Sequence, residues 1–221
     1  MNTLKIIAAL GLGALVSACS TVPEVASRNA SFAQITPGFS QSAAPVQDVL
    51  ASDMKVTAIN VTVPRSLSVS EANSYYPRAD IVWRGDPMGD RHSQIQQIFQ
   101  TAFAQGTQPL QGKVNVVLDV EIVRFHSVTE KTRYTVGGIH NMEFLLVVRR
   151  ADTGEVLMAP RQVEANLPAF GGKRAVEEDR LGQTQKVRIT GYLSQVIRQE
   201  LEKQTVTPAA PRIALLGRTK I

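Results

Sequence analysis

Two β-patterned runs stand back to back in the middle of this 221-residue chain, over 114–125 and 134–150, and they constrain its fold more than any other feature. In the first, Val114, Val116, Leu118, Val120 and Ile122 fall on one face, with Asn115, Asp119 and Glu121 on the other. That period of two turns one side of a strand to a core and the other to water. In the second, Phe144-Leu145-Leu146-Val147-Val148 is apolar on both faces, which predicts a central strand. Thr129-Glu130-Lys131-Thr132 predicts the hairpin tip between them, and Gly137-Gly138 a bulge. Asp152-Thr153-Gly154-Glu155 is turn chemistry leading to another strand over 156–165.

The flanks add a strand and two helices. Residues 54–63 are β-branched and roughly alternating, ended by Pro64. Ile95, Ile98, Phe99, Ala102 and Phe103 recur at 3.6-residue spacing with glutamines opposite, which predicts a helix capped by Asp90 and stopped by Gly106. Ile189, Leu193, Val196, Ile197 and Leu201 predict a second amphipathic helix to about residue 203. Between 65 and 91 lies a long connection, with Asp80-Ile81-Val82-Trp83 as a short strand within it. Residues 167–185 are polar and read as a loop. The order β-α-β-β-β-α predicts an α+β domain over 53–204: a mainly antiparallel four-stranded sheet with two helices on one face. A helix joining the first two strands predicts a right-handed crossover.

Ahead of the domain, residues 1–5 carry one positive charge, 6–16 are uncharged and almost wholly apolar, and Ser17 and Ala18 precede Cys19, the only cysteine. This is the build of a secretory leader, and its apolar part is too short for a membrane span, which needs about 20 residues. Leu15-Val16-Ser17-Ala18-Cys19 resembles the lipobox of bacterial lipoproteins. The resemblance implies cleavage before Cys19, a diacylglyceryl thioether on its sulfur and an acylated new N-terminus. Several acyl chains acting together anchor almost permanently, whereas one binds marginally. By the same likeness Ser20, where Asp would favour inner-membrane retention, implies the periplasmic face of the outer membrane. Residues 19–52, rich in Ser, Ala, Gln, Pro and Val, read as a flexible tether, and 205–221 as a disordered tail.

The chain carries a net charge of +5, too mild to define a partner, and its compartment and lack of basic–aromatic interleaving argue against nucleic acid. With Cys19 acylated no thiol remains for disulfide, nucleophile or metal. There is no nucleophile elbow, phosphate loop or H-E-x-x-H motif. Asp119 with Glu121, or His126 and His140 with Glu143, would be the residues of a hydrolase or a metal site, but solvated strand residues explain both sets more simply. The candidate interaction surface is Trp83, Arg84, Asp86, Asp90, Arg91 and His92, since aromatic and arginine side chains anchor interfaces. The opposing reading has Trp83 plugging the core and the charges bracing the loop.

The layout resembles auxiliary lipoprotein subunits of ABC-type lipid transport systems and small domains of peptidoglycan-synthase activators. The stretch Trp83-Arg84-Gly85-Asp86-Pro87 with Gly89-Asp90-Arg91-His92 is similar to uncharacterised alphaproteobacterial lipoproteins. The expectation is a non-catalytic binding or scaffold lipoprotein without cofactor or metal, held to a membrane through Cys19 and contacting an envelope protein or peptidoglycan. A lipid-handling accessory role stands second, needing an apolar cavity between sheet and helices or a large exposed apolar patch. An unrecognised hydrolase stands third.

Overall fold

The structure, a computed structural model, describes residues 49–203. The leader, Cys19, the tether to residue 48 and the tail from 204 lie outside the described residues.

The sheet grows from the two central runs. Strands β3 (Val114–His126) and β4 (Gly138–Arg150) pair antiparallel, with Leu118 opposite Val148, Val120 opposite Leu146 and Ile122 opposite Phe144. All six side chains are buried. A register irregularity between Ile122 and Arg124 shifts the alternation, so that Phe125 turns inward and Arg124 stays partly exposed. Strand β1 (Met54–Thr62) lies parallel to β3, from Met54 opposite Val114 to Thr62 opposite Glu121. The two-residue β2 (Ile81–Val82) continues that side of β3, opposite Phe125 and His126. Strand β5 (Val156–Ala169) closes the other edge against β4 and runs four residues past its expected end, to Ala169 opposite Gly138. The sheet is therefore five-stranded, in the order β1-β3-β4-β5 with β2 also on β3.

Two long helices cover one face. Helix α1 (Arg91–Thr107) starts where Asp90 accepts from the Ser93 amide. It does not stop at Gly106, which is buried inside it. A Cβ there would lie 2.3 Å from the Ser194 carbonyl oxygen and 2.5 Å from Ile197 Cγ2 of helix α4 (Gln185–Glu202). This glycine is used for close helix approach, not as a terminator. A short helix α2 (Glu130–Arg133) occupies the expected hairpin tip, capped by Thr129. The segment read as a loop over 167–185 holds helix α3 (Gly172–Arg180). Its single buried side chain, Ala175, left no apolar stripe to read. Val49 and Ala51 already pack on the core ahead of β1. The interior is closed by edge-to-face rings, Trp83 on Phe125, Phe125 on Phe99, and Phe99 with Phe103 on Phe144, at centroid separations of 5.4–6.2 Å. No helix among the described residues is long and apolar enough to cross a membrane.

Candidate functional site

The six residues expected as an interaction surface come together, but around a brace. Trp83 is completely buried, and its Nε1–H donates to Asp86 at 2.9 Å. Lys186 of α4 donates to the other oxygen of Asp86 at 2.8 Å, tying the loop to the helix layer. Gly85 lies so close over the Trp83 ring that a Cβ would stand 2.2 Å from its Cη2. Arg91, 4 % exposed, grips both oxygens of Glu71, the carbonyls of Asp86 and Pro87, and Gln94. The Arg91 hydrogen bond holds the Glu71 carboxyl below the usual carboxylate range. Arg84 pairs with Glu130 of α2 and donates to the Glu71 carbonyl at 2.8 Å. Asp90 accepts from Arg65 at 3.0 and 2.8 Å besides capping α1. His92 is largely covered, with Nδ1 3.7 Å from Asp90. Trp83 and Arg91 thus face inward, where no partner reaches them.

The other singled-out residues are likewise spoken for. Asp119 accepts from Arg149 and Asn60, each at 2.8 Å, on the outer face of the sheet, while Glu121 is exposed. His126 and His140 do not meet. His126 is opposite Asn141, so alternation sends His140 to the inner face and His126 to the outer. His126 Nδ1 accepts from Arg124 at 2.6 Å. His140 is fully buried, and its Nδ1 lies 2.8 Å from Ser127 Oγ. Ser127 gives its hydroxyl proton to Gln185 of α4 at 2.8 Å, so Nδ1–H of His140 donates to Ser127. Burial, then Arg188 and Arg133, push the His140 pKa down to about 3. Glu143 is bound to Gln162 at 3.1 Å. No group of three His, Cys, Asp or Glu among the described residues could hold a metal.

Sequence reasoning passed over one surface that does stand open. A cleft of about 450 Å³ lies at the end of the β3–β4 pair, between the 75–78 segment and the α2–β4 connection. Tyr75, Tyr76, Val136 and Ile139 form its rim, with Tyr76 92 %, Val136 75 % and Ile139 59 % exposed. Its walls are pinned together. Thr129 Oγ1 donates to the Ser74 carbonyl at 2.8 Å, the Lys131 amide to Asn73 at 2.8 Å, and Lys131 Nζ sits 4.7 Å from the Tyr75 ring centre. Gly137, at φ +74°, makes the turn into β4 against the Ala169 carbonyl and Gly171. Arg78 lines the mouth, no carboxylate does, and Arg78 has no ion-pair partner among the described residues. Gly137-Gly138, expected as a bulge, is instead the turn ahead of β4, and only the fold brings it beside Tyr75 and Tyr76.

Fold and site define an α+β domain with a closed sheet-and-helix core and an open apolar cleft at one end of the sheet. The chain belongs to a family of unknown function, DUF6778, whose match spans residues 54–216. No curated protein matches it. Among solved structures it is similar to XCC0632 from Xanthomonas campestris, of family DUF330, at 11 % identity and a TM-score of 0.43, covering 71 % of this chain and 86 % of that one. It is similar to a candidate lipoprotein from Caulobacter crescentus at 10 % identity and a TM-score of 0.33, covering 70 % and 92 %. It is also similar to a PelC dodecamer from Paraburkholderia phytofirmans at 13 % identity and a TM-score of 0.28, covering 66 % and 89 %. Likeness this distant carries nothing about ligand or partner.

Proposed function

We propose that this protein is a lipid-anchored, non-catalytic binding module of the cell envelope, held through Cys19 at the periplasmic face of the outer membrane, and that the cleft edged by Tyr76, Val136 and Ile139 is its working surface. The cleft carries the reading. It is an opening of ligand size, more apolar and more enclosed than the clefts of similar volume beside β1 and at Leu50 and Leu110, and apolar rims of this kind mark binding sites. The anchor rests on the leader and its lipobox; the absence of a catalytic role rests on the carboxylates and histidines singled out above being engaged in structural contacts or plainly solvated.

The test separates anchor from cleft. In cells fed labelled palmitate, the wild type takes up label and Cys19→Ala does not. Val136→Asp with Ile139→Asp, both on exposed side chains, keeps the anchor and the melting temperature but loses the phenotype of the gene. A double variant that complements a deletion as well as the wild type would remove the cleft from the function.

A further inference from the structure

We infer that the cleft takes one acyl chain of an anionic phospholipid of the bilayer, with Arg78 at its mouth and Lys131, over the rim residue Tyr75, meeting the phosphate. This rests on the cleft being the working surface, and it names the ligand.

Three observations point to that chemistry. The rim is aliphatic and aromatic, so what enters must profit from leaving water. The hydroxyls of Ser127, Thr129 and Thr132 on the walls are already used within the domain. Ser127 donates to Gln185, Thr129 donates to the Ser74 carbonyl, and Thr132 Oγ1 is 3.2 Å from Thr129. A peptide segment buried here would bring amides and carbonyls that these groups cannot satisfy, at considerable cost, whereas an acyl chain has none to satisfy. The charge is one-sided. Arg78 is exposed at the mouth, Lys131 stands over Tyr75, and neither has a carboxylate partner among the described residues. Of the acids nearest along the chain, Glu130 beside Lys131 is engaged by Arg84, and Asp80, two residues from Arg78, accepts from the Ser68 amide and hydroxyl; neither lines the cleft. An apolar slot with free cations at its opening and no acid in its lining complements a chain that ends in a negative headgroup. Tyrosine at such a boundary suits the same ligand, with ring against chain and hydroxyl toward water.

The chain's own anchor offers a second source of acyl groups, but the diacylglyceryl thioether that the lipobox implies carries no phosphate. The experiment uses that difference. Full-length protein with Ile139→p-benzoylphenylalanine is made in cells grown on radioactive phosphate, irradiated and isolated under denaturing conditions. Light-dependent label is expected, with the adduct mass of a glycerophospholipid. Met88→p-benzoylphenylalanine, at a site 82 % exposed that does not line the cleft, is expected to remain unlabelled. Combining Arg78→Glu and Lys131→Glu with the probe at 139 should cut the label about tenfold, the scale of losing two exposed charge contacts and gaining two repulsions. Arg78→Lys should keep it. Equal label at 88 and 139 would mean mere nearness to the bilayer and would overturn the inference. A protein adduct at 139 would overturn it too, while leaving the cleft as the working surface. No adduct of any kind at 139 would overturn both readings.

Discussion

Arg91 shows what a buried charge does in this molecule. Its guanidinium is 4 % exposed and spends its donors on Glu71, two carbonyls and Gln94, which locks the long connection onto the start of α1. Glu71→Gln leaves that charge poorly compensated. Because Glu71 is itself 37 % exposed, screening trims the usual cost of breaking a buried pair, and the expected loss is about 1–3 kcal/mol by urea titration. Gly85→Ala drives a methyl group into the Trp83 ring and should cost about 1–3 kcal/mol, with the near-ultraviolet signal of this sole tryptophan altered. His140 sets a pH dependence. Its pKa falls from the unfolded 6.5 to about 3 on folding, so between those values the unfolded chain binds the extra proton. Stability contributed by His140 is complete above pH 6.5 and is lost as the pH drops toward 3, with a slope of up to about 1.4 kcal/mol per pH unit. Urea midpoints measured from pH 7.5 to 5 should show that slope in the wild type, and a much flatter one in His140→Asn. Equal slopes would place the titration elsewhere. Of this, the residues by themselves offered only the reading in which Trp83 plugs the core and the charges brace the loop. Trp83, Arg91 and His140 are legible as notable, but whether they face water or the core depends on strand phase and on what packs above them.

At the scale of elements, the parts that declare themselves have a regular apolar period: β3, β4, α1 and α4 lie where their patterns put them. The parts that do not are held by contacts distant in sequence. Helix α3 buries only Ala175, and its setting includes Asp179 bound to Arg133 and Arg174 over Phe170. Amide exchange should therefore be much faster in α3 than in α4, which buries Ile189, Leu193, Ile197 and Leu201. Equal protection would show that α3 is as deeply fixed as the core. Gly106 is the sharper case. Alanine inside a helix gains about 1 kcal/mol over glycine, but a methyl group 2.3 Å from the Ser194 carbonyl must force α1 and α4 apart at about 1–3 kcal/mol. Gly106→Ala should lower the melting temperature. A rise would refute the close approach.

For the whole molecule, the proposed arrangement is a domain at the end of a lipid-anchored tether. Were residues 20–48 to behave as the flexible tether their composition predicts, about 30 residues would give a root-mean-square reach of about 30 Å. Deleting residues 20–48 while keeping Cys19 should then preserve anchoring and thermal stability but abolish complementation; full activity of the short-tethered form would make reach irrelevant. The sequence by itself determined the α+β class, the strand that lies at the centre of the sheet and the two covering helices, because each is written in local spacing of apolar residues. Only the tertiary structure decided that Gly106 is a contact and not an end, that the Trp83 loop is a brace, and that Tyr76, Arg78, Val136 and Ile139 surround one opening. Those outcomes depend on pairings between segments up to about a hundred residues apart, such as Asp86 with Lys186 and Gly106 with Ser194, and periodicity along a chain carries no information about which distant segment will lie against it.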